Sequence, residues 1–330
     1  MGAANLLNEI YAKREVQDSS GRCHKLHSEI TPDEGKLISS IIQENRFNRT
    51  LEIGCAYGLS SLYICQAIAE FENPAHTIVD PYQQTEWMGI GIANLIAADM
   101  QTKGLSEAQA RSRISMFDID GLLEPSRTDL SEDQKVYAHK AAPSKELAET
   151  IERLKPTILI GVSTKGGAFT QRVVEAMSRV NERPIIFALS NPTEKAECSA
   201  EQAYAWSKGK ALFAAGVQFP NVTLNGETFY PGQANNFYIF PAVGLATYVA
   251  RPKRLTDACF IAAAQACADQ VGPELRAKGM LFPDQSSILE QEVTTAVRVA
   301  DFMFDQGLAQ VERPRDIRAW SEGQLSKPQS

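Results

Sequence analysis

Residues 156–192 read PTILIGVSTKGGAFTQRVVEAMSRVNERPIIFALSNP, and this stretch decides the fold. It contains two short apolar runs, at 157–162 and 185–189, with a segment of helical periodicity at 170–180 between them. A strand, a helix and a second strand in this order predict a βαβ unit whose strands are parallel. The runs are apolar throughout, which is typical of strands in a sheet that helices cover on both faces.

The same alternation continues on both sides of this stretch. Four further short apolar runs occupy residues 51–55, 76–80, 114–118 and 211–215, and helix-period segments separate them. The chain is therefore predicted to be an α/β protein with a doubly wound, Rossmann-like parallel sheet. Beyond Pro252 it is mainly helical, and the clearest C-terminal helices are predicted at 261–271 and 288–304.

Two of the predicted helices carry recognisable start signals. Thr31 and Glu34 have the spacing of a capping box, with a proline between them at the first helical position. Ser199 and Gln202 have the same spacing before the apolar segment that follows them. Both helices are therefore predicted to begin at these residues.

Composition excludes several classes of protein. The chain has 330 residues, 44% of them hydrophobic, and a net charge of −7, which disfavours a nucleic-acid partner. No apolar run is long enough for a membrane helix, and the N-terminus has no apolar core of a secretory signal. The six cysteines form no CxxC pair. These features predict a cytoplasmic chain with neither disulfides nor a membrane partner.

A glycine-containing turn follows the run 51–55, and an aspartate ends the next run. Gly54 and Gly58 would let a ligand approach the backbone, and Asp80 could accept hydrogen bonds from a ribose, although a plain strand–helix turn uses the same glycines. The strings LEIGCAYGLSSLYI and HTIVDPYQQTEWMGIG resemble class I S-adenosylmethionine-dependent methyltransferases over about residues 20–95. By that resemblance Glu52, Gly54 and Gly58 would face the methionine part of S-adenosylmethionine, and Asp80 its ribose.

Polar residues also follow the apolar runs of the second half. Asp118, with Asp120 close behind, could bind the 2′-hydroxyl of an adenosine ribose and would repel a 2′-phosphate. A solvated loop acid is the alternative. Gly161, Val162 and Ser163 end another run, at the edge where doubly wound sheets bind ligands, although another strand–helix turn would have the same sequence.

Carboxamides are concentrated at two further places. Asn191 ends the run 185–189 and offers both a donor and an acceptor, although asparagine before proline is also a common turn starter. The segment GQANN at 232–236 has three amides within four positions, including Asn235 and Asn236. Such a cluster before an apolar run predicts a binding loop, and an ordinary polar loop is the alternative.

The second half resembles the malic enzymes, the NAD(P)-dependent oxidative decarboxylases of malate. The resemblance covers about residues 89–330, the family's C-terminal dinucleotide-binding domain. It rests on the strings GIGIANLIAADMQTKGLSEAQA, FDIDGLLEPSRTDLSEDQKVYAHK, PTILIGVSTKGGAFT, RPIIFALSNPTEKAECSAEQAYAWSKG, FYPGQANNFYIFPAVGLA, LRAKGMLFPDQ and VRVADFMFDQGLA.

The malic-enzyme resemblance implies an oxidoreductase that converts malate and NAD(P)⁺ to pyruvate, CO₂ and NAD(P)H. It implies NAD as cofactor, with NADP possible, together with Mg²⁺ or Mn²⁺, a small dicarboxylate substrate and a homo-oligomer. The residues that it assigns to the substrate are Asn191, Asn235 and Asn236. Those that it assigns to the cofactor are Asp118, Gly161, Val162, Ser163 and Asn191.

Some parts of a malic enzyme have no counterpart in this sequence. The glycine-rich turn that precedes the GIGIANLI helix is replaced by EWM, and no residue is assigned as base, acid or metal ligand. Decarboxylation needs a metal ion and a proton donor. The catalytic residues and the activity of the chain alone therefore stay open. A methyltransferase and a nucleotide-binding or assembly module without turnover are the alternative functions.

The two resemblances suggest a chimeric chain whose halves share one sheet. In this hypothesis residues 1–95 form a βαβ segment that completes the sheet of the 89–330 domain. The run 51–55 would pair with 157–162, giving a strand order of 3-2-1-4-5 with 114–118 outermost and 211–215 beyond the fifth strand. The helix at 90–103 would then point its N-terminus away from the ligand site.

Overall fold

The computed structural model describes residues 3–17, 23–26, 30–53, 59–79 and 88–324. The chain divides into two compact units, Met1–Thr85 and Glu86–Ser330. No helix among the described ranges is both long and apolar enough to cross a membrane.

The described part of the first unit contains two small two-stranded sheets and three helices. Its elements are α1 (Ala3–Lys13), β1 (Glu15–Gln17), β2 (Cys23–Lys25), α2 (Pro32–Glu44), β3 (Arg49–Ile53), α3 (Leu59–Ile68) and β4 (Ala75–Val79). Strands β1 and β2 are antiparallel, whereas β3 and β4 are parallel and in register from Arg49 opposite Ala75 to Ile53 opposite Val79. Helix α2 packs on α3 through Ile42, Ile64 and Ile68.

The second unit begins with helices and a short hairpin and ends in helices. Its elements before the sheet are α4 (Met88–Thr102), α5 (Glu107–Arg111), β5 (Phe117–Asp118), β6 (Gly121–Leu122), α6 (Glu132–Lys135) and α7 (Leu147–Leu154). Those of the sheet region are β7 (Ile158–Gly161), α8 (Gln171–Val180), β8 (Ile185–Ala188), α9 (Ala200–Ser207), β9 (Leu212–Ala215), β10 (Val222–Leu224), β11 (Glu227–Phe229) and β12 (Gly232–Gln233). The C-terminal helices are α10 (Phe240–Ala250), α11 (Asp257–Asp269), α12 (Pro273–Ala277), α13 (Ile288–Asp305) and α14 (Ile317–Gln324).

A four-stranded parallel sheet organises this unit, in the order β7-β8-β9-β12. Its core is built from buried apolar residues of the strands and of helices α8 and α9, among them Met177, Ile186 and Phe213. The predicted βαβ unit and Rossmann-like α/β fold are confirmed. A second cluster, which includes Val243, Val299 and Met303, joins α10 to α11, α13 and α14.

Both predicted capping boxes are confirmed. The Thr31 hydroxyl accepts from the Glu34 backbone N–H, and the Glu34 carboxylate accepts from the Thr31 N–H at 2.7 Å. Ser199 and Gln202 make the same reciprocal pair at the start of α9. A box of this kind depends on four consecutive residues, so the sequence predicts it well.

The predicted single sheet is not found among the described strands. Strand β3 pairs with β4 in a sheet of its own, and β7 is an edge strand of the four-stranded sheet. The strand order 3-2-1-4-5 is wrong for this structure, because its outermost member, 114–118, is not a strand of the four-stranded sheet. The pairing of 51–55 with 157–162 would join the two compact units and stays a prediction. The polar Glu52 side chain on β3 has its partners on β4 and α3, which ties β3 to its own unit.

The predicted parallel strand at 114–118 is also wrong. Only Phe117 and Asp118 are extended, and they pair antiparallel with Gly121 and Leu122 in a tight hairpin. Gly121 has a φ of +118°, which glycine adopts readily, and the Asp118 side chain accepts from the Asp120 N–H at 2.9 Å. These turn interactions reverse the chain before it can lengthen into a strand.

Candidate functional site

The carboxyl ends of the four parallel strands lie at one edge of the sheet. The hydrogen-bond ladder continues one residue beyond each strand, because Leu189 N–H donates to Gly161 O, Gly216 N–H to Ala188 O and Ala234 N–H to Ala215 O, at 2.8–3.0 Å. The loops after β7, β8, β9 and β12 therefore start level with one another. This edge is where ligands bind in doubly wound sheets.

Three sets of predicted site residues meet at this edge. Ser163 lies in the loop after β7, Asn191 in the loop after β8 and Asn235 and Asn236 in the loop after β12. Ser163, Asn191 and Asn236 are exposed residues of these loops. The structure thus places residues that are far apart in the sequence at one edge of the sheet, and their role in ligand binding stays a prediction.

The loops after β7 and β8 are joined by a carboxylate that the sequence analysis did not predict. Glu197 is completely buried. It accepts hydrogen bonds from the backbone N–H and hydroxyl of Ser163, at 2.9 and 3.0 Å, and from those of Ser190, at 3.3 and 2.5 Å. Glu197 therefore fixes both loops relative to each other.

Tight packing around Glu197 explains why residue 161 is glycine. A methyl group on Gly161 would lie 2.6 Å from Glu197 Cδ and 2.7 Å from Phe169 Cζ, which is closer than carbon atoms approach. The next residue, Cys198, is buried as well, and burial together with the charge of Glu197 raises the pKa of its thiol to about 12. Cys198 is thus an inert thiol rather than a nucleophile.

The carboxamides differ in what they already bind. The peptide bond between Asn191 and Pro192 is cis. A methyl group on Gly216 would lie 3.0 Å from Asn191 Nδ2, so Asn191 extends over the start of the loop after β9. Asn235 accepts from the Phe237 N–H at 3.1 Å and caps a 3-10 helix, Asn236–Tyr238. Asn235 is therefore partly occupied within its own loop, whereas Asn191 and Asn236 are exposed.

A cavity of about 350 Å³ opens beside the loop after β12. Its wall includes Gly232, Gln233, Tyr238 and Phe282. Gln285 Nε2 donates to Gln233 Oε1 at 2.8 Å and holds the amide loop against the segment before α13. The segment before α13 thus stabilises this loop.

Asp118 is bound by an arginine that the sequence analysis also missed. Arg127 donates to both Asp118 oxygens, at 2.8 and 2.9 Å, and to Asp129. These hydrogen bonds, first that to Asp129 and then those to Asp118, raise the pKa of Arg127. A cavity of about 460 Å³ adjoins this cluster, and its wall includes Asp120, Glu124 and Lys145.

The N-terminus of α4 lies between the segment just before β5 and the end of β7. A methyl group on Gly89, in the first turn of α4, would be 3.4 Å from Met116 Cε and 3.6 Å from Val162 Cγ2. Since Val162 directly follows β7, the positive end of the helix dipole is beside the carboxyl edge. The prediction that this helix points away from the site is therefore wrong. The expectation assumed the strand order 3-2-1-4-5, which the hairpin at 117–122 rules out.

Three predicted site residues, Gly54, Gly58 and Asp80, lie outside the described residues. Glu52 is buried and accepts from the Ser60 and Ser61 hydroxyls, and His76 Nε2 lies 3.0 Å from its Oε2. Within the described ranges no three His, Cys, Asp or Glu side chains are grouped as metal ligands would be. The described residues therefore do not fit a Mg²⁺ or Mn²⁺ site.

Glu197 and Arg127 were missed for different reasons. Glu197 stands in a polar segment before a helix, where a glutamate is normally solvated, and only the tertiary structure buries it. Arg127 had a weak signal, because it is a cation nine residues after Asp118 in a hairpin segment rich in acids. Both residues lie within the strings that resemble malic enzymes, but no residue spacing in those strings marks either one as functional.

Comparison with known proteins identifies the second unit. The family model "Malic enzyme, NAD binding domain" matches residues 86–304, starting where the second compact unit starts. NADP-dependent malic enzyme 1 of Arabidopsis thaliana is 40% identical over 285 residues, which is 86% of this chain and 49% of that protein. The NADP-dependent malic enzyme of Anas platyrhynchos is 37% identical over 84% of this chain and 50% of its own length.

A solved structure has the same fold. The malic enzyme from Pyrococcus horikoshii Ot3 aligns with a TM-score of 0.51 at 20% identity, over 90% of this chain and 70% of the other. The chain spans about half the length of the curated relatives it matches. Because 86% of the chain is covered, the Arabidopsis match extends into residues 1–85. The methyltransferase resemblance of that region finds no support in these comparisons.

Proposed function

The chain belongs to the malic enzyme family, and we propose that its second unit binds NAD(P)⁺ across the carboxyl edge of the β7-β8-β9-β12 sheet. The observation that carries this proposal is the alignment of Ser163, Asn191 and Asn236 at one edge beside the N-terminus of α4. Backbone N–H groups at a helix N-terminus suit a pyrophosphate. The exposed carboxamides suit the amide of nicotinamide and the carboxylates of a small dicarboxylate substrate.

Within this function we propose NAD⁺ as the preferred cofactor. The relatives named above are NADP-dependent enzymes, and a 2′-phosphate needs a free cation. Arg127 has none of its N–H groups free, since its five donors bind Asp118, Asp129 and Gly121 O. Asp120 is exposed at the same hairpin and adds negative charge. The wall of the adjoining cavity also carries the exposed Lys145, but its three acids, Asp120, Glu124 and Asp129, outnumber its two cations, Arg127 and Lys145. Its net negative charge disfavours a 2′-phosphate and favours a ribose hydroxyl.

The proposed role is that of the dinucleotide-binding half of a decarboxylating malate dehydrogenase. The residues of the carboxyl edge would hold the dinucleotide, which would supply the hydride acceptor for the substrate carbon. Asn191 and Asn236 would hold the substrate carboxylates, with Asn235 fixing the loop that carries Asn236. Turnover by this chain alone is not proposed, because the described residues supply neither a metal site nor an assigned base. A homo-oligomer stays a prediction, which light scattering of the purified chain tests.

Ligand binding is the direct test of this function. We expect NAD⁺ to raise the unfolding temperature of the full chain, since a ligand at a hundred times its Kd stabilises by about 2.7 kcal/mol. Isothermal titration should give a lower Kd for NAD⁺ than for NADP⁺. S-adenosylhomocysteine serves as the comparison ligand. Binding of S-adenosylhomocysteine with no response to either dinucleotide would contradict the proposal.

A separate variant tests the preference for NAD⁺ over NADP⁺. Replacing Asp120 by asparagine removes an exposed negative charge beside the ribose, so NADP⁺ affinity should rise about threefold to tenfold relative to NAD⁺. Asp133→Asn, at an exposed position on α6, is the matched control. An unchanged ratio of the two Kd values in Asp120→Asn would show that the hairpin does not select the cofactor.

A further inference from the structure

The proposed contacts to the cofactor do not account for the buried carboxylate of Glu197. Its side chain is completely inaccessible to solvent, and its hydrogen-bond partners among the described residues are all uncharged. Burying a charge without a cation is costly unless hydrogen bonds satisfy it. Such a group needs a reason beyond packing.

The surrounding donors show which form of the carboxyl group the site holds. The Ser190 hydroxyl oxygen accepts from the Thr164 N–H at 2.9 Å, and the Ser163 hydroxyl oxygen accepts from the Lys165 N–H at 3.3 Å. Each hydroxyl hydrogen is thereby directed at Glu197. With two hydroxyls and two backbone N–H groups donating to it, Glu197 acts only as an acceptor, which is the behaviour of the ionised carboxylate.

The position of this charge matters for the proposed ligand. Glu197 binds the first residues of the loops after β7 and β8, and Asn191 directly follows one of its two serines. These are the loops that the proposed function assigns to the nicotinamide side. The oxidised nicotinamide ring carries a positive charge, and uptake of a hydride removes it. A fixed anion beneath these loops would therefore favour the oxidised form of a nicotinamide bound there.

We propose that Glu197 is a positioning residue that holds the Ser163 and Ser190–Asn191 loops in place and biases the site toward the oxidised nicotinamide. This inference rests on the proposed function, since it requires a dinucleotide at the carboxyl edge. A charge in the interior acts through a low dielectric and is little screened by salt, whereas exposed acids of the same loop are screened. The bias is thus a property of Glu197 and not of the surface.

Glu197→Gln tests the charge while keeping the size of the side chain. The Kd values of NAD⁺ and NADH are measured by titration for the parent chain and the variant. We expect the Kd of NAD⁺ to rise about tenfold more than that of NADH, and for a two-electron couple this is a shift of about 30 mV in the potential of the bound cofactor. Glu194→Gln, at an exposed position in the same loop, should leave the ratio unchanged.

Ser190→Ala separates positioning from charge. It removes the 2.5 Å hydroxyl donor but keeps the carboxylate, so both Kd values should rise by a similar factor with their ratio preserved. Unchanged Kd values in Ser190→Ala would overturn the positioning role. This test remains valid if the Glu197→Gln variant does not fold. A folded Glu197→Gln with the parent ratio would overturn the charge bias. A parent chain that binds neither dinucleotide would overturn the proposed function itself.

Discussion

Glu52 in the first compact unit and Glu197 in the second are both buried and both held by serine hydroxyls, but their other partners differ. Glu52 in the first unit binds Ser60, Ser61 and His76, whose side chains come from the neighbouring helix and strand of the same βαβ segment. Glu197 in the second unit binds backbone N–H groups as well as hydroxyls, at the ends of two different strands.

The difference lies in what each carboxylate organises. The partners of Glu52 are side chains that can find other acceptors, since His76 Nδ1 already lies 2.9 Å from Thr50 Oγ1. Backbone N–H groups at a loop cannot turn away without moving the chain. Glu52 therefore joins elements within a core, whereas Glu197 sets the shape of the edge that we propose binds the cofactor. The comparison teaches that burial alone does not distinguish a structural carboxylate from a functional one.

The largest expected effect comes from removing the two carboxylates. Glu197→Ala leaves four buried donors without an acceptor and should lower the free energy of unfolding by about 3–5 kcal/mol. Glu52→Ala should cost about 1–3 kcal/mol, because its side-chain donors can reorient. Hydrogen exchange of peptides from each unit of the full chain measures where the loss occurs.

Exposed acids provide the controls for these variants. Glu201→Ala on α9 and Glu44→Ala on α2 should each stay within about 0.5 kcal/mol of the parent chain. A loss in Glu52→Ala as large as that in Glu197→Ala would contradict the distinction between side-chain and backbone donors.

The two capping boxes allow the two units to be compared through smaller changes in stability. Thr31→Ala and Ser199→Ala each remove one reciprocal cap and should cost about 1 kcal/mol. Faster hydrogen exchange should follow in the first unit for Thr31→Ala and in the second for Ser199→Ala. Equal acceleration in both units by either variant would show that the units unfold together.

The smallest expected effect is the response to acid. Hydrogen bonds from Thr31 lower the pKa of Glu34 in the first unit, and those from Ser126 lower the pKa of Glu124 in the second. A folded-state pKa below the unfolded value stabilises the protein above the ordinary pKa of 4.5, and this contribution is lost as pH falls through the folded value. Thermal unfolding between about pH 5 and 3 should show a shallower loss in Glu124→Gln than in the parent chain. If Glu124→Gln loses stability with falling pH as steeply as the parent chain, the lowered pKa of Glu124 does not contribute to the acid response.

Local features of the sequence predicted local structure correctly. The capping boxes, the βαβ unit at 156–192 and the long helix Ile288–Asp305 follow from residue spacing within one element. The family also follows from the sequence, because the matching strings extend over most of the chain. Features that depend on pairing between distant segments were harder to predict. The apolar run 114–118 forms a hairpin because Arg127 and Gly121 stabilise the turn, which periodicity does not reveal.

The sequence alone determined the parallel α/β fold, the order of the elements and the carboxamides placed after the strands, since apolar periodicity and turn residues act over a few positions. Only the tertiary structure decided which strands share a sheet, that α4 begins beside Val162 and that Glu197 is buried between two strand ends. The physical reason is that strand pairing and burial depend on residues distant in the chain. The sequence around a glutamate in a polar segment does not indicate the four hydrogen-bond donors that surround it in the folded protein.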